Sequence, residues 1–420
     1  MRRASRIRIV GLVAISLVAI AGCSSGSSSS TPKRTTSTSS RVSTTTTTAV
    51  PIAPEGWKLL SQAPTVLGRY RVWTGHEYIG GPSGCCDDLG GSEVLAYNPA
   101  TLDWRHLAPF PLPLRTSEVA AWTGHEMVVV GGREARSATD TTNSDSVPTT
   151  SGTALDPSTN TWHTIASMPA PMDLPLGAIW TGKEVIVFDH THVYLYTPAT
   201  NRWRTGAAPP FARDGMTTVW TGRQLLLWGG TEPLTSESRF DNLVVHGDGA
   251  AYDPSANRWT TIPVAPVPAR TGATAVWTGH QMILWGGLGP GGTQGTGDRG
   301  PLGKGAAYDP ASRSWRALPA SPLKARFGHR MVWTGREAIV WGGSVASNGP
   351  DPLAGYPRDG AAYDPATNTW RTLMPAPPSP PALLTAFSAV WTGTTVLLIG
   401  GDTSNEQAIG PLGLAYSPGR

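Results

Sequence analysis

The sequence predicts an all-β fold: a seven-bladed β-propeller of four-stranded antiparallel blades, the last blade closed by the N-terminal strand. Three observations carry this expectation. Trp-Thr-Gly occurs seven times, starting at Trp73, Trp122, Trp180, Trp220, Trp277, Trp333 and Trp391, at spacings of 49, 58, 40, 57, 56 and 58 residues. Each copy is followed by a short apolar run, such as Met127-Val128-Val129-Val130, which ends near Gly-Gly in six of the seven. A variable stretch then leads to a strand ending in Tyr-Asp-Pro or a near variant, at Tyr97, Leu155, Tyr196, Tyr252, Tyr308, Tyr363 and Tyr416, and six of these continue through a polar turn to Trp.

Each piece has a physical role. Apolar runs of four to five residues bounded by turn residues read as strands. Thr-Gly supplies one tight turn, and Asp-Pro followed by Ser, Thr or Asn supplies a second. The order within a repeat is therefore strand, turn, strand, loop, strand, turn, strand. One such sheet cannot bury both faces, so neighbours stack around an axis. All 17 Trp fall within the pattern: seven in Trp-Thr-Gly, three in Trp-Gly-Gly (Trp228, Trp285, Trp341) and seven opening an outer strand. Their bulk predicts packing between blades.

The last repeat stops at Tyr416-Ser417-Pro418-Gly419-Arg420, where the others proceed to their outer-strand Trp. Gly56-Trp57-Lys58-Leu59-Leu60 stands alone before the first Trp-Thr-Gly and supplies the missing strand. Pairing the two ends hides the sheet edges. With Gly-Gly after the second strand, then Tyr, then Trp, at periods near ~50 residues, residues 51–420 resemble the kelch repeat. That resemblance implies a propeller and leaves function open, because kelch-type propellers include adaptor domains, a sialic-acid mutarotase and galactose oxidase.

The N-terminal 50 residues differ in kind. Arg2, Arg3, Arg6 and Arg8 precede an apolar stretch from Ile9 to Ala21 and then Gly22 and Cys23. This is the pattern of a secretion signal, and Ile20-Ala21-Gly22-Cys23 resembles the lipobox of bacterial lipoproteins, which implies diacylation of Cys23. Residues 1–22 are expected to be a lipoprotein signal peptide and residues 23–50, almost entirely Ser and Thr, a tether with too few apolar groups to order itself. The expected location is the extracytoplasmic side of the cell membrane, lipid-anchored. The formal charge of +4 belongs to this segment: without its seven basic residues, 26 basic stand against 29 acidic. A slightly acidic globular part argues against a nucleic-acid partner.

Strand alternation places both short turns of every blade on one face, and the long loops 133–150, 231–247, 288–304 and 344–358 on the other. Variable loops on a rigid scaffold are where binding sites concentrate. Seven residues before Trp-Thr-Gly stand Arg115, Arg213, Arg270 and Arg326, with Asp173 in the third repeat. Four arginines around a channel mouth fit a bidentate hold on a carboxylate or phosphate; alternatively, Arg here belongs to the repeat and pairs with neighbouring loops. The third repeat has no Gly-Gly and carries Asp189-His190-Thr191-His192, where two alternating His suit a shared metal or acid-base work, or an ordinary surface turn. His329 is expected to face the same mouth, whereas His76, His125 and His280 follow Trp-Thr-Gly in the opposite turns. Cys85 and Cys86 are adjacent in the first loop, and oxidation outside the cytoplasm would join them in a disulfide; two free thiols or intermolecular pairing are the alternatives.

No metal site is assigned and no cofactor is expected. The resemblance to galactose oxidase would require a copper site with two His, two Tyr and a Cys bonded to one Tyr, and that pattern is not matched around the only Cys pair. The sequence thus favours a binding module presenting the long-loop face to a protein, glycan or envelope component. The alternatives are an enzyme on a small anionic sugar, resembling the mutarotase, with His190, His192 or His329 as proton carriers, and a structural scaffold of the envelope.

Overall fold

The computed structural model describes residues 55–61, 63–64, 67, 70–81, 92–113, 115–134, 146–233, 244–290, 299–345, 355–377, 387–400 and 413–419. The leader, the tether, Cys23, Cys85 and Cys86 lie outside these described residues. The chain is all-β, with one short 3-10 turn at Pro198–Thr200 among them. Seven of its sheets have four antiparallel strands.

The fourth sheet shows the plan. Thr217–Trp220, Leu225–Trp228, Gly249–Asp253 and Arg258–Ile262 pair in chain order. Trp220 lies opposite Leu225, Leu225 opposite Tyr252, and Tyr252 opposite Trp259, all at one end. Thr217, Trp228, Gly249 and Ile262 form the row at the other. The short turns lie at the first end and the long loops at the second.

The Trp-Thr-Gly turn closes on its threonine. Thr221 Oγ1 accepts the backbone N–H groups of Arg223 at 3.2 Å and Gln224 at 2.8 Å, while Gly222 takes φ of +87°, where a Cβ would be strained. In the second turn Asp253 Oδ1 accepts the N–H groups of Ser255 and Ala256, and Asn257 adopts the left-handed conformation. Its Oδ1 accepts the phenol O–H of fully buried Tyr252 at 2.7 Å.

Sheets are joined face to face by apolar clusters. Leu226, Trp228 and Ala251 of the fourth sheet pack with Met282, Leu284 and Tyr308 of the fifth. The same kind of cluster brings Tyr78, Leu95 and Tyr97 of the first sheet against Val390, Leu397 and Ile399 of the last. Trp228 and Trp285 are fully buried, whereas the seven Trp of Trp-Thr-Gly are half-buried against these clusters.

A polar clamp repeats at the same seams. The outer-strand Trp of each sheet donates Nε1–H to a carbonyl just beyond the preceding sheet's outer strand: Trp162 to Ala108, Trp203 to Ala166, Trp259 to Ala207, Trp315 to Pro263 and Trp370 to Pro319. Trp57 donates to Met374 and Trp104 to Ser61. Gly56–Leu59 pairs antiparallel with Gly413–Ser417, Gly56 opposite Ser417 and Leu59 opposite Leu414. Two of the long loops start as β-ribbons, Arg133–Glu134 with Val147–Pro148 and Leu288–Pro290 with Arg299–Pro301.

Candidate functional site

The long-loop end gathers most of the residues singled out in the sequence and engages them in bonds within the fold. Arg115, Arg213, Arg270 and Arg326 are all buried, the last two at 0% exposure. Each places Nη1 on the carbonyl of the first glycine of its own Gly-Gly, 16 residues on: Gly131 at 3.3 Å, Gly229 at 3.5 Å, Gly286 at 2.9 Å and Gly342 at 3.1 Å. Three also donate Nε–H to the carbonyl two residues earlier, in Pro113, Pro268 and Lys324. Arg213 instead lies over the Phe211 ring, 4.1 Å from its centroid. These guanidiniums tie the chain ahead of the inner strand to the glycine turn. A ring of open forks at a channel mouth is therefore corrected to four buried staples.

The constant separation of 16 was present in the sequence and passed unnoticed. So was the joint loss in the third repeat, where Asp173 and Asp189 occupy the two positions. Asp173 instead turns outward to an ion pair with Arg133 of the second sheet's ribbon.

His190 and His192 do not share a site. They sit in a tight turn closed by the Asp189 N–H to His192 carbonyl bond of 3.1 Å, so strand alternation does not apply. His190 Nε2 is 2.8 Å from Asp214 Oδ1, and this bond, opposed by burial, raises its pKa. His192 Nδ1 is 3.2 Å from Asp189 Oδ2, and its ring stacks on Tyr194 at 5.6 Å. Their imidazoles thus engage different carboxylates rather than one metal. Among the described residues no group of three or more His, Cys, Asp or Glu is placed to hold a metal ion.

His329 is fully buried between the fifth and sixth sheets. Its Nε2 is 2.6 Å from Thr274 Oγ1 and 3.2 Å from the Trp285 carbonyl, and its ring stands edge-on to Trp285. A carbonyl only accepts, so Nε2 carries the proton. Desolvation, helped by Arg326 and Arg330, pushes its pKa down to about 3. A neutral, enclosed imidazole does not carry protons for a ligand, which corrects its placement at the mouth.

Two open grooves lie at the opposite, short-turn end. One, of 540 Å³, is lined by Lys183, Trp220 and Arg223 and floored by the Arg204–Glu184 pair. The other, of 610 Å³, runs past His125, Trp180 and Pro198.

Fold and repeat chemistry define a class, and comparison with known proteins agrees. Residues 177–401, more than half of the chain, match the KLHDC2/KLHL20/DRC7 Kelch-repeats domain, and the chain belongs to this family. It is 25% identical over 334 residues to Kelch-like protein terF of Aspergillus terreus, covering 74% of this chain, and 27% identical over 230 residues to Kelch-like protein 36 of Mus musculus, covering 51%. The chain spans 62% and 35% of the lengths of those relatives. A solved structure titled "Structure of YjhT" superposes with a TM-score of 0.52 at 14% identity, covering 75% of this chain and 99% of that one, and shows likeness of fold alone.

Proposed function

We propose that the seven sheets close into one ring, and that this ring is a non-catalytic interaction module that binds a protein partner through its long-loop end. The observation that carries the reading is the contrast between the two ends. The short-turn end repeats the same threonine and tryptophan bonds in all seven sheets and an aspartate or asparagine turn in five of them. At the long-loop end the four arginine staples recur, but the loops they support differ in length and composition from sheet to sheet. Closure is supported by the strand Gly56–Leu59 on Gly413–Ser417 and by the Trp57 and Trp104 clamps on either side of it.

The reading includes a lipid anchor at Cys23, a Ser/Thr tether and an extracytoplasmic location. Gly56 lies opposite Ser417, at the short-turn end. A tether joined there attaches at the end opposite the long loops. The enzyme alternative keeps one supporting observation, the imidazole of His190 oriented by Asp214.

The test places a photo-crosslinking residue at Val244, 55% exposed at the long-loop end, or at His125 in a short turn, in the full chain on cells. A discrete crosslinked protein from position 244 and none from 125 is expected. The same product from both positions, or from 125 alone, contradicts the reading.

A further inference from the structure

The four buried arginines are alike in geometry and unlike in charge. Arg213 and Arg326 each meet the aspartate that precedes the third-strand glycine of its sheet, with Nη1 2.9 Å from Asp248 Oδ1 and 2.7 Å from Asp359 Oδ1. Arg115 has Glu134 at 3.7 Å and Ser151 Oγ at 3.1 Å. In the fifth sheet the same position, before Gly305, holds Lys304. The match is structural as well as sequential. Nη1 of Arg270 donates to the Lys304 carbonyl at 2.6 Å, as Nη1 of Arg213 does to the Asp248 carbonyl at 3.3 Å and Nη1 of Arg326 to that of Asp359 at 3.5 Å.

Arg270 is therefore a fully enclosed guanidinium whose bonds, among the described residues, all go to carbonyls, of Pro268, Gly286 and Lys304. Among the described residues its Nη2 has no hydrogen-bond partner, as is true of Nη2 in Arg115 and Arg326, so what sets Arg270 apart is the missing carboxylate. Burial draws its pKa down to about 10, with no carboxylate among the described residues to offset it. A second cation, Lys304, whose backbone carbonyl takes the Arg270 bond, is exposed.

We propose that the long-loop end of the fifth sheet accepts a carboxylate supplied by an acidic segment of a protein partner, with Lys304 and Arg270 as its cations. The inference rests on the protein-interaction reading above and gives it a partner chemistry. Asp248 and Asp359, which occupy this position in the flanking sheets, are 43% and 48% exposed, so the position opens to solvent. An incoming Asp or Glu would meet the Lys304 ammonium first and Arg270 behind it. The flanking sheets fill the position with a single-charged carboxylate, which favours that group over a phosphate.

The test is thermal unfolding of the full chain in detergent, with hexa-aspartate peptide as probe and inorganic phosphate as the second anion. Hexa-aspartate is expected to raise Tm saturably, with an effect that shrinks as salt is added. Lys304→Asp, at an exposed position, should raise Tm by about 2 °C without peptide by supplying the counter-ion in cis, and should weaken the peptide at least ~10-fold. An unchanged peptide response in Lys304→Asp, a lowered Tm, or an equal response to phosphate overturns the proposal. If the protein crosslinked from position 244 is retained undiminished by Lys304→Asp, the inference fails while the interaction reading stands. If no protein crosslinks yet the peptide response depends on Lys304, the interaction reading fails and the carboxylate site stands.

Discussion

His329 and His190 start from the same ordinary pKa and are moved in opposite directions. Burial pulls His329 down to about 3, so it stays neutral in the fold while the unfolded chain takes a proton near pH 6.5. Its contribution to stability is complete above that pH and is lost as pH falls, by about 1.4 kcal/mol per pH unit down to about pH 3. His190 is raised by the Asp214 bond; its contribution is present below the unfolded value and disappears as pH rises through its folded one. His329→Asn should therefore be less stable than the parent at pH 7 and yet lose less stability between pH 6 and 4. Urea unfolding at each pH measures this, and parallel pH profiles for the two proteins would contradict it. None of this was readable in the sequence, since three residues after Arg326 says nothing about which side of the sheet is enclosed. The arginine staples were readable, through their fixed distance to Gly-Gly.

At the level of the repeated element, the tryptophans that open the outer strands do more than fill space. Trp259 packs with Tyr252 at 5.0 Å between ring centroids and donates Nε1–H to the Ala207 carbonyl at 2.9 Å, while Asn257 takes the Ala207 N–H at 2.7 Å. In the links at Ala108, Ala166 and Ala207 one residue is thus held on both its backbone groups by the following sheet. Trp259→Phe keeps most of the ring packing and removes the donor, and should cost about 1 kcal/mol, lowering Tm by about 1 °C. A calorimetric scan with Tm unchanged would show the clamp to be energetically idle. Strands, turns and their order were legible because Trp-Thr-Gly and Tyr-Asp-Pro recur with their chemistry intact. The clamp was not, because the residues it grips, Ala108, Ala166, Ala207, Pro263 and Pro319, share a position and no distinctive side chain. The β-ribbons in two long loops were missed for a related reason: two- and three-residue strands carry no period.

Over the whole molecule, the two ends of the chain carry the sharpest claim. The stranded Trp57 and the repeat truncated at Tyr416 pointed to each other in the sequence, and the register of Gly56–Leu59 on Gly413–Ser417 is what such a junction requires. Its energetic consequences extend beyond one sheet. Trp57 contacts Trp341 of the sixth sheet at 5.5 Å and Tyr416 at 4.8 Å, and Leu60 and Ala63 are buried in the cluster shared with the first sheet. Without this strand the seventh sheet exposes an edge and two seams lose their clamps. The long-loop end, by contrast, was legible only as a place. Which of its charges are already neutralised depends on contacts between residues some 35 positions apart, and it is those contacts that single out Arg270. The most direct measurement is thermal unfolding of the chain lacking residues 51–62 beside the intact chain. A closed ring predicts a single cooperative transition in the intact protein and a large fall in Tm, or loss of that transition, in the shortened one. An unchanged Tm would mean that the N-terminal strand does not close the ring.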